Sequence, residues 1–225
     1  MNKIVIPIYK NWKLCHDLLN DLRKHEQGNI DEVIVVDDYS QSAEVDGGLG
    51  FWVDAQLIPV TVINNEENVG FTLSSNIGLR HATQTANPDD CIFLISSDVR
   101  VGAKFLDGAS QILTSQKSLV GHRLLTGNTG WNTFDGKVFP YLEGYFLACT
   151  AYGWADLGYF DNNYAPHDFE DVDISTNAAS LGYKLIPLNN PMITHLGGRS
   201  IGFGREREAV TERNSQYFKW KWTDA

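Results

Sequence analysis

The chain has 225 residues and a formal net charge of −10. That length fits one α/β domain with at most a small annex, and 43% hydrophobic residues exclude a disordered chain. The acid excess argues against wrapping nucleic acid, whose phosphates dominate affinity, but it suits a site that recruits a cation and then a phosphate through it. Cys15, Cys91 and Cys149 lie far apart with no CxxC pair. They read as free thiols in a reducing compartment, not as a disulfide frame or zinc site. The start lacks the apolar core of a signal peptide and no apolar run approaches a membrane span, so the expectation is a soluble cytoplasmic protein.

Lys3–Ile8 reads as a strand, followed by a helix carrying Leu14, Leu18, Leu19 and Leu22 that fades at Gly28. Asp31–Val36 is a continuous apolar run fit for a parallel sheet. Gly47–Gly50 reads as a loop, Pro59–Ile63 as a third strand, Asn68–Gly70 as a turn and Thr72–Thr83 as a helix. Cys91–Ile95 is the most apolar strand, Lys104–Leu113 looks helical, and Ser118–Val120 begins another strand. This alternation with short connections marks a parallel sheet with crossover helices. The second half changes character. Gly127–Tyr141 reads as a long loop or hairpin, Tyr145–Ala151 as a strand, and Val172–Leu181 as a helix ended by Gly182. Tyr183–Ile186 and Met192–His195 are short strands, and the tail from Arg205 is mixed in charge. The division expected is a domain over 1–204 and a C-terminal tail or helix over 205–225.

Acidic groups stand where strands or buried runs end: Asp37 and Asp38 in VIVVDDYS, Asp98 in FLISSDVRV, and Asp168, Glu170, Asp171 and Asp173 in HDFEDVDIS. His195 follows another short strand in ITHLGG. Carboxyl ends of parallel strands share one crevice, where open α/β sheets bind ligands. Carboxylates and a histidine gathered there suit a divalent metal and a general base, and so chemistry on a phosphorylated or nucleotide-linked substrate. Each feature also has an ordinary reading: a solvated strand end for the Asp37–Asp38 pair, a turn residue for Asp98, a satisfied core histidine for His195. For Glu170 and Asp171 it is helix N-terminal acids favoured by the macrodipole. Gly70 in NVGFTLSSNIG permits a left-handed turn whose N–H groups face either a phosphate or an ordinary helix start. There is neither a GxGxxG nor a GxxxxGK[ST] sequence, which argues against a dinucleotide site and excludes a P-loop.

Taken in order, IVIPIYKN, DEVIVVDDYS, NVGFTLSSNIGLRHA, FLISSDVRV, LGYFDNNY, HDFEDVDISTNAASLGYKL and THLGGRS resemble the inverting glycosyltransferases of family 2 from Ile4 to about Gly202. The resemblance implies the GT-A fold, an α/β Rossmann-like, mostly parallel sheet flanked by helices. It implies a nucleoside contact at Pro7, Ile8 and Tyr9, base reading by Asp38 with Asp37 nearby, and a donor pocket shaped by Asn68, Gly70, Asn76 and Ser97. Asp98 matches the last acid of the family's DxD motif and His195 a histidine that completes the metal site, which implies Mn²⁺ or Mg²⁺. Asp171 matches the general base of the ED motif, with Glu170 its helper. Two departures stand out: Ser96 replaces the first DxD acid, and Asn177 replaces an arginine often found after the ED motif.

The activity so implied is transfer of a sugar from a UDP- or dTDP-linked donor to a hydroxyl of a glycan or lipid-linked acceptor. Trp131, Phe134, Tyr141, Tyr145 and Trp154 are candidates for stacking on the acceptor, or else core and loop anchors. Two rivals remain: a nucleotidyltransferase, which normally needs a glycine-rich basic N-terminal loop that IPIYKNWK lacks, and a nucleotide- or glycan-binding module that has lost catalysis, to which Ser96 points. In the tail, Phe218, Trp220 and Trp222 alternate with Lys219 and Lys221. This pattern suits either a peripheral contact with the inner membrane surface or docking on the domain or on a second copy in a homo-oligomer.

Overall fold

A computed structural model describes residues 1–197 and 204–224. The end of the THLGGRS block, from Gly198 to Ser200, lies outside the described residues. The first half runs β1 (Asn2–Ile8), α1 (Trp12–Glu26), β2 (Glu32–Asp37), α2 (Ala43–Ala55), β3 (Val60–Asn64), α3 (Phe71–Gln84), β4 (Cys91–Ile95), β5 (Val99–Val101), α4 (Leu106–Ser115) and β6 (Ser118–Gly121). Short strands follow: β7 (Leu124–Leu125), β8 (Thr133–Phe134), β9 (Lys137–Val138) and β10 (Tyr141–Leu142). The chain ends with β11 (Phe146–Thr150), α5 (Ala151–Leu157), α6 (Glu170–Ser180), β12 (Lys184–Pro187), β13 (Ile193–His195) and α7 (Arg205–Lys219).

Seven strands form one sheet in the order β12-β6-β11-β4-β1-β2-β3. Strand β11 runs antiparallel to both neighbours and the other pairs are parallel. The sheet is buried on both faces, as parallel sheets must be, and its residues alternate between two cores. Ile4, Ile6, Ile8, Val33 and Val35 pack with Leu18 and Leu22 of α1, Trp52 of α2 and Leu106 of α4. Val5, Ile34 and Val36 pack with Leu79 of α3, Trp154 of α5 and Ile174 of α6. Because β11 is reversed, its amino end lies at the carboxyl edge of the parallel strands, which matters for the site below.

Two readings of local structure change. Gly47–Gly50 is not a loop but the middle of α2. Gly48 lies against the Trp12 indole, and a Cβ there would sit 2.1 Å from Trp12 Cε2. The close approach of α1 and α2 outweighs the low helix propensity of glycine. The tail is helical and docked. Phe218 is fully buried among Phe134, Phe139 and Phe169, and Lys221 Nζ lies 2.9 Å from both Asp161 and Asp173. Among the described residues no helix is long and apolar enough to cross a membrane, and all three cysteines are buried free thiols. Truncating a fully buried phenylalanine typically costs 3–5 kcal/mol. Phe218→Ala is therefore expected to destabilise by about 3 kcal/mol or more in urea melts. Trp220→Ala, at a position 58% exposed, should change stability by less than about 0.5 kcal/mol.

Candidate active site

The carboxyl edge of the sheet opens into a cleft of ≈ 450 Å³. One wall carries Pro7, Ile8 and Tyr9 after β1, with Asp38, Asn68 and Gly70 beside them. Ser96, Ser97 and Asp98 form the floor after β4, and His195 at the end of β13 meets them. The far wall is Tyr141, Glu143, Gly144, Tyr145, Glu170 and Asp171, with Pro166, His167 and Arg207 at its rim.

Asp38 is buried and shapes the wall after β1. Its Oδ1 accepts from Asn65 Nδ2 and Val69 N, both at 2.9 Å, and its Oδ2 accepts from Gly70 N at 2.8 Å. A carboxylate has about four acceptor sites, so one on Oδ2 is left for a ligand. The Gly70 N–H is thus spent on Asp38 rather than facing a phosphate.

Asp98 Oδ1 lies 3.3 Å from His195 Nε2. The two come from chain segments almost a hundred positions apart, joined by the antiparallel pairing of β13 with β5. One carboxylate oxygen and one imidazole nitrogen converging on a cleft fit a Mn²⁺ or Mg²⁺ ion. Among the described residues no group of three or more His, Cys, Asp or Glu could enclose a metal. Such an ion would therefore take most of its shell from ligand oxygens and water.

Asp171 sits in the first turn of α6. Its Oδ1 accepts from Val172 N at 2.8 Å and its Oδ2 from Gly144 N at 3.0 Å. Gly144 eases this approach, because a Cβ there would lie 3.0 Å from Asp171 Cβ, a contact that would push the side chain back by a few tenths of an ångström. Burial raises the Asp171 carboxyl to about 6, against the lowering effect of those two N–H groups. Burial, reinforced by the charge of Asp171, raises Glu170 well above the carboxylate range. Its Oε2 is buried without a hydrogen-bond partner. The two adjacent carboxyls thus differ: Asp171, held by two N–H groups, is raised to about 6, and Glu170, whose Oε2 has no partner, is pushed toward its neutral form.

This asymmetry predicts a stability effect. Unfolded glutamate titrates near 4.3, whereas folded Glu170 holds its proton to higher pH. The stability it contributes is complete below the unfolded value and is lost as pH rises through the folded one. Glu170→Gln cannot ionise. It should raise the melting temperature at pH 8, and the gain should vanish near pH 4.

The turn carrying these acids is clamped by α7. Asp168 and Phe169 both adopt positive φ, 71° and 76°, a strained backbone for such residues that the surroundings must enforce. Arg207 Nη2 and Nε contact the two oxygens of Asp168 at 2.8 and 3.1 Å, and Thr211 Oγ1 adds a 2.7 Å bond. Burial would raise the Asp168 carboxyl, but His167, Arg207 and Thr211 together hold it far below its usual range. The fully buried Asn214 donates at 2.8 Å to the carbonyls of Tyr164, His167 and Asp168.

Of the residues singled out in the sequence, Pro7, Ile8, Tyr9, Asp38, Asn68, Gly70, Ser96, Ser97, Asp98, Tyr141, Tyr145, Glu170, Asp171 and His195 line this cleft. Others do not. Asp37 is buried and closes the turn after β2 through Ser40. Asn76 is locked to the Phe160 backbone and Asn162, tying α3 to the 160–162 turn. Trp154 is fully buried in the core, its indole N–H on the Ile92 carbonyl at 3.0 Å. Trp131 is 58% exposed and lies outside the cleft lining. Phe134 packs with the tail. Sequence reasoning passed over Glu143, Gly144 and Arg207. Arg207 had no local signal, since it reaches the cleft from a helix beyond every matched block.

The family model for glycosyl transferase family 2 matches residues 3–133. The chain belongs to this family. The match covers the wall after β1 and Asp98 but ends before α6 and β13, so the placing of Glu170, Asp171 and His195 rests on the geometry above. No curated protein matches the chain. The GT-A fold is shared with several solved glycosyltransferases. The mannosyltransferase PcManGT from Pyrobaculum calidifontis, solved with GDP-Man and Mn²⁺, superposes with a TM-score of 0.62 at 18% identity over 83% of this chain and 54% of that one. GalNAc-T7 with UDP, GalNAc and Mn²⁺ gives a TM-score of 0.71 at 14% identity, over 87% and 43%. S. aureus TarS 1–349 with UDP-GlcNAc gives 0.66 at 16% identity, over 94% and 64%. This chain thus spans 43–64% of the length of those chains.

Proposed function

We propose that this chain is an inverting, metal-dependent glycosyltransferase domain, with residues 1–204 as the catalytic unit and the C-terminal helix as its clamp. It moves a sugar from a nucleoside diphosphate donor, UDP- or dTDP-linked, to a hydroxyl of a glycan or lipid-linked acceptor. The observation that carries this reading is one cleft with a nucleoside wall on one side, the Asp98–His195 pair on its floor and the poised Asp171 opposite. The related folds solved with nucleotide sugars or Mn²⁺ support the class of ligand.

Pro7, Ile8 and the exposed Tyr9 ring hold the nucleoside, with Asp38 reading the base through its remaining acceptor site. Asp98 and His195 would hold Mn²⁺ or Mg²⁺, which when bound neutralises the charge that grows on the leaving diphosphate. Asp171 accepts the proton of the acceptor hydroxyl as its oxygen bonds to the anomeric carbon. The bond from that carbon to the phosphate oxygen breaks on the opposite face, so a single carboxylate suffices and the configuration inverts. Glu170, kept protonated, donates a hydrogen bond to a sugar hydroxyl.

The test is slow donor hydrolysis with a panel of UDP-, dTDP- and GDP-linked sugars and Mn²⁺. The expected result is nucleoside diphosphate release from one donor class, abolished by EDTA. A binding module that has lost catalysis, the reading favoured by Ser96, would bind a nucleotide and release none.

A further inference from the structure

Tyr145 was a candidate for stacking on the acceptor, but its surroundings give it another use. Its ring is stacked on the His195 imidazole, with centroids 4.1 Å apart and planes 18° from parallel. One aromatic face is therefore covered by the metal-ligand candidate itself. The ring is in turn latched at its far end. Tyr145 Oη lies 2.6 Å from His122 Nδ1, and His122 Nε2 lies 2.9 Å from the Asn190 carbonyl oxygen. A carbonyl only accepts, so Nε2 carries a proton. Glu143 Oε2, at 3.2 Å, accepts from the Tyr145 hydroxyl. The backbone is pinned as well, because the Tyr145 carbonyl accepts from Ser96 N at 2.9 Å, two residues before Asp98.

The arrangement has a direct consequence for His195. Its side chain is 31% exposed, and the strand that carries it is three residues long. The imidazole Nε2 faces Asp98, and its plane is set by the ring beneath it. Both Tyr145 and His122 are buried, so the platform under His195 is rigid. We infer that Tyr145, latched by His122, is a positioning residue for metal binding: it holds the His195 imidazole in the plane that lets Nε2 and an Asp98 oxygen share one divalent cation. This rests on the metal role of Asp98 and His195 proposed above. Residues that orient a metal ligand typically alter metal affinity 10–100-fold when removed.

The experiment is a Mn²⁺ titration followed by electron paramagnetic resonance of free Mn²⁺, at a fixed excess of UDP. Wild type is compared with Asp98→Ala, Tyr145→Phe, Tyr145→Leu and His122→Phe, and UDP affinity without metal is measured for each by calorimetry. Tyr145→Phe keeps the ring but breaks the latch, and should give the same intermediate loss of Mn²⁺ affinity as His122→Phe, about threefold. Tyr145→Leu removes the platform and should lower it about tenfold or more, with metal-free UDP affinity unchanged. His122→Phe frees the latch and should give an intermediate loss, so it decides the matter should Tyr145→Leu not fold. Wild-type Mn²⁺ affinity in His122→Phe and in any folded Tyr145→Leu, beside a loss in Asp98→Ala, overturns this inference alone. Unchanged Mn²⁺ binding in Asp98→Ala overturns the metal assignment and the inference with it.

Discussion

Asp171→Asn is expected to lower sugar transfer about a hundredfold or more while leaving nucleoside diphosphate affinity within about twofold. General-base removal typically costs 10²–10⁴ in rate. The amide keeps the shape of the side chain and its oxygen can keep one of the two N–H contacts, to Gly144 or to Val172; neither lies on the wall after β1, so donor binding has no reason to change. The wild-type pH profile supplies a second reading of the same group. A base acts when deprotonated. With the Asp171 carboxyl raised to about 6 by burial, the rate should climb between pH 5 and 7 and level off above. An unshifted aspartate near 3.9 would give a flat profile over that range. Stopped assays at saturating donor, from pH 5 to 8.5, make the comparison. Near-wild-type transfer by Asp171→Asn would move the base to Asp168, Glu170 or Asp173. Loss of donor binding together with rate would mean that the residue supports the metal or the fold.

Asp98→Ala should remove both the Mn²⁺-dependent part of nucleoside diphosphate affinity and most transfer. Lewis-acid stabilisation of a leaving diphosphate is worth several kcal/mol, so the rate should fall about a hundredfold or more. The expectation is specific because Ser96 stands where a second acid would share the load. His195 would then be the remaining protein ligand of the pair, and His195→Ala should show the same loss in milder form. Calorimetric titrations with and without Mn²⁺ separate the metal-dependent component from the nucleoside contact, which both variants should retain.

What the sequence disclosed and what it hid follow from range in the chain. The strands β1, β2 and β4 were legible because buried parallel strands are continuous apolar runs, and Asp38 and Asp98 follow such runs directly. The reversal of β11 was not legible, since a buried strand has the same composition in either direction. Yet that reversal brings Glu143, Gly144 and Tyr145 to the site and lets one short segment touch both Ser96 and Asp171. The aromatic candidates divided in the same way. Tyr145, Trp131 and Trp154 look alike as residue types, and only packing places one under His195, one on the surface and one in the core. Arg207 and Asn214 became visible only when α7 folded back on the Asp168–Phe169 turn, some forty residues earlier. That docking accounts for Phe218 and for Trp222, whose indole N–H donates to Asp173, and leaves Trp220 exposed.

The most direct test of the account is equilibrium binding of UDP, dTDP and GDP to the full chain by calorimetry, each with Mn²⁺ and with EDTA. A site built as described binds one class of nucleoside diphosphate, and binds it about tenfold or more tightly with Mn²⁺ in wild type but not in Asp98→Ala. Nucleotide binding that is indifferent to Mn²⁺, or no binding by any of the three, would contradict it.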